Sequence, residues 1–258
     1  MRSGIYWRRE LLAVGFVVEP RLLELGGRLA LGHLRRSVPD PELRAKLTPH
    51  YTMGCKRILP SNDFYQALTR PNVELVTGRI AEVRPRGIVT RDGRERALDA
   101  IVYATGFEAA EAHPPFRIVG RRGQELGAAW NDGVEAYLGT TVCGFPNLFF
   151  LVGPNTGLGH TSMTLMMESQ FACVVDALRT VQARNLKLVD VRPEAQRRYN
   201  ARLQARLAKS VWNAGGCVSW YRTRSGKNTT LWPGFTFEYR LRTRRFDPDA
   251  HELVPDGT

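Results

Sequence analysis

Residues 153–162, Gly-Pro-Asn-Thr-Gly-Leu-Gly-His-Thr-Ser, join an apolar run at 147–152 to a helix-like segment beginning near Thr161. That order of strand, glycine turn and helix is how proteins hold phosphates and dinucleotides. Glycines let the backbone approach closely, and the helix start offers unpaired N–H groups and a positive dipole end. Gly157–Ser162 approximates G-x-G-x-x-[small]. A complete dinucleotide fingerprint also needs a second strand ending in an acidic residue about 20 residues later. Here that distance falls inside the helix-like segment 161–184, and the next strand-like piece ends only at Asp190. The turn therefore reads as a wall for another electron-rich part of a cofactor, such as a flavin pyrimidine ring. His160 reads as a polar loop residue rather than a catalytic base.

A second candidate is Ala104-Thr105-Gly106, at the end of the apolar run from Leu98. Glycine there permits close approach of a ligand or a tight crossing. Four cysteines, Cys55, Cys143, Cys173 and Cys217, stand far apart with no C-x-x-C. Their spacing suggests neither a zinc site nor a paired redox centre, and their scarcity fits a reduced, cytoplasmic setting. The net charge is 37 − 25 = +12, almost all of the cations being Arg. No nucleic-acid-binding signature accompanies them, so they read as a solvated surface or a phosphate-bearing cofactor's partners, not as a nucleic-acid interface.

These residues need a scaffold, and a chain of 258 residues with 43% hydrophobic residues can build one. Three-to-four spacing of Leu11, Leu12, Val14, Val18, Leu22, Leu25 and Leu29 predicts helix over 5–36, divided at Pro20. The run Leu11–Val18 is too short to span a membrane, and no cleavage site follows it. Pro41 starts a short helix in a proline-rich loop, and Asp63 is placed to cap another from Phe64 to about Thr69. Strands are expected at 72–76, 80–84, 87–90, 97–104 and 147–152, with an Asp92-Gly93 turn and a second hairpin at 116–126. Helix 161–184 carries the stripe Met163, Met166, Met167, Phe171, Val174, Val175, Leu178 and Val181, and helix 193–210 begins at Pro193.

Taken together, Tyr51–Val76 with its Gly-Cys-Lys-Arg, Asp99–Phe107, Tyr137–Gln170 with Gly-Phe-Pro-Asn-Leu-Phe, and Cys217–Arg240 with Trp-Pro-Gly resemble the Baeyer–Villiger monooxygenases. The resemblance runs from about Tyr6 to Phe246, and is nearest the branch acting on aryl and aliphatic ketones. It implies an α/β fold, the rear part of a flavoprotein with two Rossmann-like dinucleotide-binding domains. Residues 1–104 would be the end of the NADPH domain with a helical insertion, and 105–258 the end of the FAD domain plus a tail. The family's front motifs are not in this sequence: the G-x-G-x-x-G turn for FAD, the F-x-G-x-x-x-H signature and the second glycine turn for NADPH. Only the family's C-terminal half is matched, which points to a missing N-terminal half as partner and to impaired activity alone.

The resemblance also implies roles. Arg57 matches the arginine beside the flavin, whose fixed charge stabilises the negatively charged, oxygenated cofactor. Lys56 matches a residue near the NADPH 2′-phosphate, and Trp220 a tryptophan contacting the nicotinamide nucleotide, with a buried core Trp as the rival reading. Gly106, Gly153, Pro154 and Asn155 match positions lining FAD, and Ser162 and Met163 the following helix start. The implied reaction uses FAD, NADPH and O₂ to insert oxygen beside a ketone carbonyl, giving an ester or lactone. Oxygenation of nitrogen or sulfur, or a non-catalytic fragment or half of a split enzyme, are the alternatives. No membrane or metal role is expected.

Overall fold

The computed structural model describes residues 2–107, 110, 114 and 116–257. The chain divides into two compact units. The smaller comprises residues 27–50 and 59–107, and the larger residues 1–26, 51–58 and 108–258.

In the larger unit, α1 (Arg2–Val17) is followed by a single 3₁₀ turn at Pro20–Leu22, where proline cannot continue the helix, and then by the start of α2 (Leu23–Ser37). α1 buries Glu10, Ala13 and Phe16, while Leu11, Leu12 and Leu25 are exposed. After the short α5 (Leu126–Ala129) comes α6 (Met163–Ala183), capped by the Ser162 hydroxyl, which accepts from Thr164 N–H at 3.2 Å. β4 (Leu186–Val191) leads into α7 (Pro193–Lys209), whose proline sits where no N–H is needed. α8 (Val211–Ala214) and α9 (Thr236–Arg242) precede β5 (His251–Pro255), which pairs antiparallel with β4, Val191 opposite His251. The main core gathers Phe16, Leu158, Met166, Leu207, Trp212, Trp232 and Tyr239 from α1, the glycine turn, α6, α7, α8, the tail and α9.

In the smaller unit, α3 (Pro41–Leu47) is capped by Asp40, which accepts from Glu42 N–H at 3.0 Å. α4 (Phe64–Leu68) is capped differently from the sequence expectation. Ser61 Oγ, not Asp63, accepts from Phe64 N–H at 3.1 Å, because the Ser61 hydroxyl spends its proton on Asp63 at 2.7 Å. β1 (Ile80–Arg84), β2 (Gly87–Thr90) and β3 (Glu95–Ala97) form an antiparallel meander. The expected Asp92-Gly93 turn is present, with Gly93 at φ 81° and Thr90 N–H bonded to Arg94 C=O at 3.1 Å.

Residues 72–76, 98–104 and 147–152 form no ladder, and 116–126 holds only a bridge between Val119 and Glu125. A strand exists through a matching neighbour, and these segments make only single backbone bonds, such as Asn147 N–H to Val189 C=O at 2.9 Å, Phe150 N–H to Thr140 C=O at 2.7 Å and Leu98 N–H to Arg86 C=O at 3.0 Å. Val102, Tyr103 and Phe107 are accordingly exposed. The stripe on α6 is likewise rearranged. The buried face is Met166, Ser169, Gln170, Cys173 and Ala177, whereas Phe171, Val175 and Leu178 are exposed.

Candidate functional site

The glycine turn is held from two sides. Val152 takes a left-handed φ of 57°, unfavourable for a β-branched residue. Its N–H is captured by Gln170 Oε1 at 2.9 Å, and the Gln170 amide donates to Gly139 C=O at 3.0 Å and Thr140 Oγ1 at 3.2 Å. Gly153 leaves no room for a side chain, since a Cβ there would collide with Gly139 C=O. On the other side the tail supplies a clamp. Asn155 N–H and Gly157 N–H donate to the carbonyls of Thr229 and Thr230, both at 2.8 Å, and Trp232 N–H returns a bond to Gly157 C=O. The Asn155 amide nitrogen reaches the carbonyls of Asn228 at 2.9 Å and Leu231 at 3.1 Å. Its Oδ1 is buried without a hydrogen bond. Gly153, Pro154, Thr156 and Gly157 form one side of a cleft of about 380 Å³ whose other side is apolar, with Phe116, Trp130 and Phe150.

His160 does not sit in the loop as a solvated polar residue. Its ring is buried, with both nitrogens unbonded and Nε2 3.9 Å from the buried Glu10 carboxylate of α1. Burial lowers its pKa to about 4, so the imidazole is neutral at pH 7. Burial also raises the Glu10 pKa, opposed by backbone N–H groups that include Thr236 at 3.0 Å.

Arg57 and Lys56 lie on an exposed loop, anchored by what precedes them. Gly54, at φ 88°, packs so closely on Phe16 and Leu23 that a Cβ would lie 2.9 Å from the Phe16 ring. Cys55 is fully buried and disulfide-bonded to Cys217, Cα to Cα 6.1 Å. This corrects the reading that the chain offers no paired cysteines: the partner is 162 residues away, a separation that spacing rules do not cover. Lys56 Nζ lies over the Tyr51 ring at 4.9 Å. Among the described residues, Arg57 makes no hydrogen bond or ion pair. Its charge opposes the upward push that burial gives the Tyr221 phenol.

Trp220 is 47% exposed and packs on Tyr221, ring centroids 4.5 Å apart, while Trp212 and Trp232 fill the core. That favours a contact residue over a core tryptophan. Met163 is half-buried against the main core and Ser162 is exposed at the α6 start. Lys56, Arg57, Gly153, Pro154, Asn155, Ser162, Met163 and Trp220 thus all belong to the larger unit. Gly106 belongs to the smaller unit, at φ 87° with open space around it. Gln170, Glu10 and the Asn228–Leu231 clamp escape the sequence reading. Only Glu10, a lone acid in an apolar helix, carries a visible signal. Among the described residues no helix is long and apolar enough to cross a membrane, and no cluster of His, Cys, Asp or Glu is placed to hold a metal.

No family model matches the chain. A Baeyer–Villiger monooxygenase of Pseudomonas aeruginosa is 50% identical over 254 residues, 98% of this chain and 48% of the relative. The FAD-binding monooxygenase ktnD of Aspergillus niger is 41% identical over 212 residues, 80% of this chain and 35% of the relative. The structure of cyclohexanone monooxygenase from Rhodococcus sp. Phi1 bound to NADP⁺ superposes with a TM-score of 0.81 at 26% identity, over 94% of this chain and 46% of that one. The chain therefore has the fold of the rear part of a Rossmann-type flavoprotein. Its sequence places it with the Baeyer–Villiger monooxygenases, as a C-terminal half. It spans about half the length of the relatives it matches.

Proposed function

We propose that this chain is the oxygen-transfer half of an FAD- and NADPH-dependent monooxygenase that inserts one atom of O₂ next to a ketone carbonyl. The observation that carries this reading is the 50% identity to a Baeyer–Villiger monooxygenase over 98% of the chain. The geometry agrees with it. The larger unit offers a guanidinium at Arg57 that no described residue pairs, and a clamped glycine turn lining a partly apolar cleft. A flavin would bring the oxygen chemistry, with NADPH as the source of electrons.

The residues have separable tasks in this proposal. Gly153 and Pro154 present backbone to the cofactor, and Ser162 and Met163 bring the α6 start to it. Asn155 contributes its unpaired Oδ1 if the clamp loosens, and otherwise holds the turn in shape. Arg57 supplies a permanent, planar donor to negative charge that develops in the reaction. Lys56 serves a phosphate as a point charge, and Trp220 offers a flat exposed face to a nucleotide. Residues 1–104 act as the end of the NADPH domain, with Gly106 at its exit, and 105–258 as the end of the FAD domain. Activity of the chain by itself is impaired. The test is to co-express it with the front half of the Pseudomonas relative and offer a ketone, a tertiary amine and a thioether with NADPH. Ester or lactone formation is expected. Oxygenation of the amine or thioether alone overturns the ketone assignment.

A further inference from the structure

We propose that Cys55 and Cys217 are a reversible dithiol–disulfide couple, a redox modification site that ties the segment bearing Lys56 and Arg57 to the segment bearing Trp220. The two sulfurs are brought together by packing that does not need the bond between them. Thr52 N–H donates to Gly215 C=O at 3.0 Å, joining the two segments through their backbones. Gly215 lies so close to the first cysteine that a Cβ on it would stand 2.8 Å from Cys55 Cβ and 3.0 Å from Cys55 Sγ. Gly54 is pressed on Phe16 and Leu23 on one side, and Trp212 is buried in the core just before Gly215 on the other. With both flanks anchored, the two thiols stay neighbours after reduction, so closing the bond is an intramolecular step at high effective concentration.

The two cysteines differ in access, as an attacking and a resolving thiol should. Cys55 is fully buried, whereas Cys217 is half-buried in an irregular stretch beside exposed Gly216 and Val218. With hydrogen peroxide as oxidant, the Cys217 thiolate attacks one peroxide oxygen. The O–O bond breaks, hydroxide leaves and takes up the proton the thiol had released, giving water, and a sulfenic acid remains. The Cys55 thiolate then attacks that sulfur, the S–O bond breaks, and a second water leaves with the disulfide formed. A dithiol reverses the change by exchange, taking up the oxidising equivalents as its own disulfide. The remaining cysteines compete poorly, because burial raises the Cys143 thiol pKa and lifts that of Cys173 to about 11.

Opening the bond removes the covalent tie on the stretch 216–220, between the seated Gly215 and the buried Tyr221, and on the exposed Lys56 and Arg57, which loosen while Gly54 and Gly215 keep the thiols near one another. That this alters cofactor handling rests on the proposed function; the sulfur chemistry does not. The test uses the full chain, purified in air, alkylated with iodoacetamide while denatured, and mapped by non-reducing mass spectrometry. One linked peptide pair, Cys55 with Cys217, is expected, with Cys143 and Cys173 alkylated. Excess dithiothreitol on the folded chain should leave all four alkylated, and equimolar hydrogen peroxide after its removal should restore the same pair. Tryptic cleavage after Lys56 and Arg57 should be several-fold faster in the reduced chain and in Cys217→Ser, and unchanged in a Cys143→Ser/Cys173→Ser chain kept oxidised. Four alkylated cysteines after peroxide, a different pairing, a bond that dithiothreitol leaves closed, or equal cleavage in both redox forms would each overturn the proposal. No readout needs bound flavin, so loss of ketone oxygenation leaves it standing.

Discussion

At the scale of single residues, the charge proposed to act at Arg57 is unpaired among the described residues, and the buried His160 is neutral at pH 7. Arg57 has no internal partner among the described residues, which is what a donor kept for a transient anion requires. In the enzyme completed with a front half, Arg57→Ala is expected to lower ketone oxygenation by roughly 10²–10³, or about 2.7–4 kcal/mol, with flavin reduction by NADPH intact. Arg57→Lys should also fail, since an ammonium keeps the charge but not the planar fork. Rapid-mixing spectra separate the two half-reactions; their joint loss would mean a structural Arg. His160 behaves in the opposite way, buried and neutral. Its folded pKa of about 4 lies below its ordinary 6.5, so the unfolded chain binds the proton more readily. Stability is therefore lost as pH falls from about 6.5 towards 4, by an amount on the order of 3 kcal/mol, partly offset by Glu10, whose raised pKa favours its neutral form at low pH. Denaturant titrations across that range should show the slope in the natural chain and a flatter one in His160→Gln.

At the scale of elements, Gln170 shows how a buried polar group can set a site. One side chain bridges α6, the Gly139-Thr140 corner and the strained Val152 that precedes the glycine turn. Gln170→Ala leaves those backbone groups unpaired, at about 1–3 kcal/mol each. A stability loss of that order is expected in urea titration, whereas a loss under about 0.5 kcal/mol, the usual size for a surface change, would show the bridge to be dispensable. Helix starts at Pro41 and Pro193 are legible in the sequence because proline acts within a turn of itself, whereas the cap expected of Asp63 falls to Ser61. The face that α6 buries is not legible. Hydrophobicity selects Phe171, Val175 and Leu178, but the backbone of the neighbouring turn draws in Gln170, and Ser169 beside it satisfies its hydroxyl on Leu165 C=O within the helix. Segments 98–104 and 147–152 are legible as apolar runs, yet a ladder depends on a matching neighbour, and their single bonds to Arg86, Val189 and Thr140 do not make one. The Cys55–Cys217 pair is invisible for the same reason, being a product of packing between distant segments. The exposed apolar side of α6, with Phe171, Val175 and Leu178, should make the isolated chain self-associate as its concentration rises, leaving it soluble only when dilute. Co-expression with a front half should restore solubility, and a chain that stays monomeric at high concentration would argue against this.

At the scale of the whole molecule, the chain spans 48% of the Pseudomonas relative and 35% of the Aspergillus one. The glycine turn is legible from its residues as an incomplete dinucleotide fingerprint, because a second acidic strand end is missing at the required spacing. Its clamp by Asn228–Leu231 is not, since nothing in Asn-Thr-Thr-Leu announces a partner more than 70 residues away. The chain alone offers no pyrophosphate cradle, so it is expected to lose FAD on gel filtration. Stoichiometric flavin absorbance in the protein peak would show a complete site in this chain. The most direct test of the central claim supplies ¹⁸O₂ and NADPH to the chain combined with the front half of the Pseudomonas relative, with a ketone as substrate. One ¹⁸O atom is expected in the ester or lactone, and none when either half is used alone. A combined pair that binds FAD, oxidises NADPH and still leaves the ketone unlabelled would contradict it.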